Sequence, residues 1–265
     1  MVKEKKIAFL GSGNMAEAIL KGILLSKITS PKNIICTDKI KERLSYIKRT
    51  YKVKTTVKNS EAIIFSDVII IAVKPQNINE IVDTLKDITL SKKVIISICA
   101  GIKIKKIEKG LKEKISVIRV MPNTPALIGE GISALALGKH ASKKDMAFTA
   151  KLFKAVGDVI ELPESRLDAV TALSGSGPAY VFYLLETMLE AAKKLKIPPK
   201  DAQKLAFKTF LGATKLAQIS SDDLKTLRKK VTSTGGTTEQ AIATFEKKWF
   251  KKSFCDWYHG SRKKI

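Results

Sequence analysis

The chain has 265 residues, 45% of them hydrophobic and 28% charged, a globular balance that excludes a disordered chain and leaves room for one large or two ordinary domains. No apolar run approaches the roughly 18 residues of a membrane span. Three scattered cysteines (Cys36, Cys99, Cys255) and two distant histidines (His140, His259) carry neither a disulfide framework nor a metal site. The net charge of +24 invites a nucleic-acid reading, but its lysines are spread over nearly every helical segment and only 6% of residues are aromatic, so no specific nucleic-acid partner is expected.

The start, "MVKEKKIAFLG", has too short an apolar part for a secretory leader, and a cytoplasmic protein is expected. From residue 6 to about 162, short apolar runs alternate with amphipathic helical patterns: 6–10, 33–36, 68–72, 94–98, 116–120 and 132–137. Near-continuous β-branched runs are what a parallel sheet covered on both faces requires. After "DVIELPE" (158–164) the segments 180–195, 201–219, 221–231 and 239–248 all have helical period. The expected architecture is α/β, with an N-terminal Rossmann-type parallel sheet domain over 1–162 and an all-α domain over 163–265.

"IAFLGSGNMAEAIL" sets Gly11, Gly13 and Ala16 at GxGxxA spacing between the first strand and a helix. The glycines permit a tight turn and close backbone approach to a pyrophosphate, which the helix N-terminus attracts. Asp38 ends the second strand about 20 residues further on, the offset at which an acidic residue bonds a ribose 2′-hydroxyl. At the carboxyl ends of later strands lie "AVKPQ" (72–76), "CAG" (99–101) and "VMPNTP" (120–125). Lys74 reads equally as a phosphate or ribose contact and as a solvated lysine, and Asn123 with Thr124 as nicotinamide contacts or a turn cap. "TALSGSGPAYVF" (171–182) is a polar, glycine-bearing entrance to a long helix, where Ser174 and Ser176 either cap the helix or wrap a ligand. "VTSTGGTTEQAI" (231–242) repeats the arrangement: small hydroxyls and free N–H groups converge on a helix N-terminus suited to a carboxylate.

In order along the chain, the segments 11–16, 72–75, 119–125, 173–180 and 234–238 resemble the signature segments of pyrroline-5-carboxylate reductases. The resemblance implies hydride transfer from NAD(P)H to a cyclic imine, giving L-proline in the last step of proline biosynthesis, and a helical domain that interlocks with a second subunit. It implies that Ser233, Gly236 and Thr237 hold the substrate carboxylate and that Thr238, taken as the catalytic residue, bonds the ring nitrogen; Ser174 and Ser176 are carried as substrate-binding candidates on the ligand-wrapping reading of their loop. Asn59 and Lys74 match cofactor contacts. With the glycine loop and the strand ends, the cofactor set is Gly11, Ser12, Gly13, Asn14, Met15, Asp38, Asn59, Ala72, Val73, Lys74, Pro75, Asn123 and Thr124. NADPH is the cofactor expected, with NADH also accepted. Asp38 repels a 2′-phosphate while Lys39, Lys41 and Arg43 offset that repulsion. A homodimer at least is expected, with rings of dimers as an extension. The tail 250–265 departs from the family in carrying Trp257, Tyr258 and Gly260, and its aromatics read equally as interface anchors and as a frayed end. The competing readings are a related imine-acid or β-hydroxy-acid reductase and, in a different class, a non-catalytic nucleotide sensor or nucleic-acid binder.

Overall fold

Eight strands form a single sheet in the order β3-β2-β1-β4-β5-β6-β7-β8 in the computed structural model, which describes residues 4–248, 250, 252, 253, 255 and 256. The tail positions Trp257, Tyr258, His259 and Gly260 lie outside the described residues. The strands are β1 (Ile7–Leu10), β2 (Ile34–Thr37), β3 (Lys54–Thr56), β4 (Val68–Ile71), β5 (Val94–Ser97), β6 (Ser116–Met121), β7 (Gly131–Leu137) and β8 (Gly157–Glu161). The first six follow the doubly wound Rossmann order, with all their pairings parallel.

Alternation along the strands explains the uninterrupted apolar runs. Ile7 and Phe9, Val68 and Ile70, and Val94 and Ile96 pack on one face with helices α1 (Asn14–Leu25), α2 (Lys41–Tyr51) and α6 (Lys143–Lys154). Ala8 and Leu10, Ile69 and Ile71, and Ile95 pack on the other with α3 (Asn59–Phe65), α4 (Ile78–Lys86), α5 (Ile104–Lys109) and α7 (Leu167–Val170). Both faces are covered, so both registers of the alternation are apolar along β1 and β4 and along β5 up to Ile96.

The sheet differs from the sequence expectation at its far edge. β7 runs antiparallel to β6, and β8 pairs with β7 in parallel. The link from Met121 to Gly131 holds only a tight helical turn, Thr124–Ile128, too short for the crossover that a parallel return requires. Helix α6 supplies such a crossover between β7 and β8. The polar strand β3 is a further addition to the runs read from sequence.

The chain divides into two compact units at Pro178/Ala179. Residues 163–178 belong to the first: Leu167 is fully buried in its core, and α7 leads into a π-type turn, Thr171–Gly175. The second unit is helical, with most of α8 (Gly177–Lys194), then α9 (Pro199–Ile219), α10 (Leu224–Lys230) and α11 (Thr237–Lys247). Lysines adopt left-handed backbone at Lys27, Lys52, Lys92 and Lys196, at turns and helix ends where glycine is usual. No helix among the described residues is long and apolar enough to cross a membrane.

Candidate functional site

The strand order reverses between β1 and β4, and the loops that leave these two strands stand side by side. Gly11 has φ of +97° and donates its N–H to Thr37 O at 3.1 Å, while Ala72 N–H donates to Leu10 O at 2.8 Å. A Cβ on Gly11 would lie 2.7 Å from the Ala72 carbonyl oxygen, so this glycine answers to two demands, the turn and the neighbouring loop. Gly13 is different. It caps α1 without any side-chain hydrogen bond, and a Cβ there would meet nothing within 4 Å. The α1 N-terminus therefore opens into a cleft of about 600 Å³ with its first amides uncapped by any side chain, the arrangement that suits a pyrophosphate.

The cleft is lined by residues following β1, β2 and β4, together with α3 and α4. Asp38 braces it: its carboxylate accepts Ser12 N–H and Ile40 N–H, both at 3.0 Å, and Ser12 Oγ donates to Thr37 O at 2.9 Å. Thr37 Oγ1 donates to Asn59 Oδ1 at 2.6 Å. Arg43 reaches back from α2 to donate Nε to Ser12 O at 2.6 Å, and its guanidinium pairs with Glu17. Burial works against the Glu17 charge, but hydrogen bonds from Tyr51, Arg43 and Tyr46 outweigh it and hold the carboxyl below its ordinary pKa. Across the cleft, Lys39 Nζ pairs with Glu80 Oε2 of α4 at 2.6 Å.

Further along the sheet, the motif after β6 is tied inward. Arg119 is fully buried, donates Nη2 to Asp168 Oδ1 at 2.7 Å and has Glu164 Oε1 3.6 Å from Nη1. Asn123 donates Nδ2 to Ser174 Oγ at 3.2 Å and accepts Ile132 N–H at 3.0 Å. Two segments quoted separately from the sequence thus meet, with the π-type turn, a feature often found at functional sites, presenting Ser174. Burial disfavours the thiolate form of both buried cysteines, pushing Cys36 up to about 12 and raising Cys99. Among the described residues no group of three side chains is placed to hold a metal.

In the second unit, Gly235 has φ of +74° and donates its N–H to Glu239 Oε2 at 2.7 Å. Gly236 caps α11 without a side-chain hydrogen bond, and a Cβ on it would lie 2.4 Å from Ser233 Oγ. Ser233 and Thr237 are exposed and Thr238 half-buried, beside helix amides that no side chain caps.

Comparison with known proteins is decisive. Residues 164–265 match the family described as pyrroline-5-carboxylate reductase dimerisation, and residues 6–101 match that of coenzyme F420-dependent NADP oxidoreductases. A pyrroline-5-carboxylate reductase of Synechocystis sp. is 37% identical over 95% of this chain and 93% of its own length. Pyrroline-5-carboxylate reductase 2 of Bacillus subtilis is 38% identical over 94% of this chain and 90% of its own. This chain belongs to the pyrroline-5-carboxylate reductase family. Among solved structures, the pyrroline carboxylate reductase of Plasmodium falciparum with NADP bound superposes with a TM-score of 0.91 at 28% identity, covering 100% of this chain and 98% of that one. The reductase from Coxiella burnetii gives 0.88 at 33% identity, covering 99% and 97%.

Of the reductase cofactor set read from sequence, Gly11, Ser12, Gly13, Asn14, Asp38, Asn59, Ala72, Val73 and Lys74 line the one cleft. Met15 in the first turn of α1, Pro75 in the turn before α4, and Asn123 with Thr124 after β6 do not. Thr37, Ile40, Val57, Gln76, Asn77, Glu80 and Ile81 line the cleft and were not singled out. Thr37, Gln76 and Asn77 flank singled-out residues at strand ends, a usable signal. Glu80 sits on α4 and carries none.

Proposed function

We propose that this protein reduces 1-pyrroline-5-carboxylate to L-proline with NADPH, NADH also serving, as the last step of proline biosynthesis. The observation that carries this reading is the uncapped α1 N-terminus opening into the cleft at the β1/β4 switch, in a chain that belongs to this family. The residues present fit a dinucleotide: Gly13 leaves the space a side chain would fill, and Asp38 and Arg43 hold the loop rigid through Ser12.

When bound, the reduced nicotinamide supplies the hydride. The chain's own task is alignment, because the cyclic imine is an electrophile that a proton on its nitrogen already activates. The amides and hydroxyls of Ser233, Gly236 and Thr237 hold the carboxylate at the start of α11, where the helix dipole favours an anion. Thr238 hydrogen-bonds the ring nitrogen, orienting the imine CH carbon, which becomes CH2 on taking up the hydride while the protonated nitrogen becomes the ring amine. Ser174 and Ser176 complete the substrate surroundings, Met15 and Pro75 support the cofactor loops, and Asn123 and Thr124 face the nicotinamide end. The substrate-binding and dimerising part begins at residue 163, a reading supported by the family match from 164. Two copies form the working dimer, and rings of dimers extend it, in the cytoplasm, without nucleic-acid or membrane partners. The exposed apolar side chains of α8 and α9 support the dimer.

The test is to mix the protein with NADPH and 1-pyrroline-5-carboxylate and follow nicotinamide absorbance. Oxidation matched by proline formation is expected. A folded, cofactor-binding protein that oxidises nothing would overturn the reading.

A further inference from the structure

The cleft carries an ion pair that the loop architecture does not require. Lys39 follows Asp38 at the end of β2, Glu80 stands on α4, and their side chains meet at 2.6 Å between two walls of the same cavity. This is the end of the cleft where an adenosine ribose belongs, since the residue closing the second strand is the one that faces its 2′ position.

Of the other charged residues that line the cleft, Asp38 and Arg43 are committed, and Lys74, which follows β4, is not. Asp38 is bound by the amides of Ser12 and Ile40. Arg43 is bound to Ser12 O and to Glu17, and Glu17 in turn to the hydroxyls of Tyr46 and Tyr51. Lys39 is committed only to Glu80, and both side chains are largely solvated, 69% and 50% exposed. Such a pair contributes little stability, and a lysine on a flexible stem changes partner readily.

Building on the proposed NAD(P)H chemistry, we propose that Glu80 is a specificity-determining residue: it holds Lys39 when no 2′-phosphate is present and competes with the phosphate for it when one is. A phosphate monoester carries about −1.5 to −2 charge near neutral pH, so it outbids a single carboxylate for the ammonium. Glu80 then remains nearby as an unpaired negative charge. A cofactor with a bare ribose gains nothing from breaking the pair and meets no such repulsion. Glu80 therefore keeps the preference for NADPH smaller than Lys39 alone would make it, and so keeps NADH usable.

The test measures NADPH and NADH dissociation constants by nicotinamide fluorescence, without substrate, for the full-length wild type, Glu80→Gln, Lys39→Met and the double variant. Glu80→Gln is expected to tighten NADPH about three- to fivefold, the worth of an exposed pair, and to leave NADH within about twofold. In the Lys39→Met background that gain should shrink to less than about half, the signature of two coupled residues. Equal shifts for both cofactors, or the same gain with and without Lys39, would overturn the exchange. Cofactors that bind with the expected ratios while pyrroline-5-carboxylate goes unreduced would leave this inference standing and remove the proposed reaction instead.

Discussion

The sheet unit and the helical unit solve the problem of burial in opposite ways. The first buries nearly all of β1, β2, β4 and β5 between two helical layers and needs nothing else to cover them. In the second, Ala202 and Ala206 are the only buried residues among those described, while Phe182, Tyr183, Leu205, Leu211 and Leu216 stand half or more exposed. Apolar surface on this scale marks an interaction face rather than a finished core. The cofactor cleft sits on the self-sufficient unit, and the proposed carboxylate site on the one that needs a partner.

The largest expected effect breaks the helical side. Phe182→Glu combined with Leu211→Glu places charge where a second copy should pack, at a cost of about 3–5 kcal/mol per unpaired buried charge. Light scattering should show monomer and turnover should collapse, while NADPH still binds the sheet unit. A double variant that remains a fully active dimer would refute the contrast between the units.

Glycine exchanges sharpen the contrast. Gly11→Ala combines left-handed backbone with contact against Ala72, and should lower stability by about 1–3 kcal/mol and abolish cofactor binding. Gly235→Ala meets open space and carries only the backbone strain, about 1–2 kcal/mol. Paired denaturation and cofactor titrations check both. Thr238→Ala should be smaller still: an unchanged Tm with kcat/KM reduced by the equivalent of about 0.5–1.5 kcal/mol, one hydrogen bond.

How much of this was legible beforehand differs between the same two regions. The apolar strands, the glycine loop and the switch to helices followed from local pattern, because β-branched runs and GxGxxA spacing are read within one segment. Strand β3 escaped because a polar edge strand carries no apolar run, and the reversal at β7 escaped because it depends on the length of a loop. In the site, spacing singled out Asp38 as a ribose-contact candidate, but its grip on Ser12 was not legible, nor was the meeting of Asn123 with Ser174, since both join residues distant in sequence. The hydroxyl cluster at 233–238 was legible locally as a helix N-terminus suited to a carboxylate, because small hydroxyls and glycines beside a helix start can be read within one segment. The role of each residue in it came only from the family resemblance.

The mildest expected effect is acid sensitivity. Glu17 and Asp145, both in the sheet unit, are held below the ordinary carboxylate range: burial raises each, but hydrogen bonds, from Tyr51 to Glu17 and from Ser142 to Asp145, prevail. Their unfolded forms take up protons first, so the stability they contribute is present above roughly pH 5 and is lost as pH falls through their depressed folded values. Tm followed from pH 6 downward should decline, and Glu17→Gln should flatten the decline. An unchanged slope in that variant would mean that Glu17 is not among the carboxylates whose protonation loosens the sheet unit.

The left-handed lysines have a practical consequence. In an L-residue that backbone carries roughly 1–2 kcal/mol of strain that glycine avoids, and each of these lysines also adds to a charge of +24 that repels itself. Glycine at Lys27, Lys52, Lys92 and Lys196 would relieve both at once, and none of the four lines the cleft. An engineer seeking a hardier catalyst could begin with these four positions before touching any residue that meets a ligand.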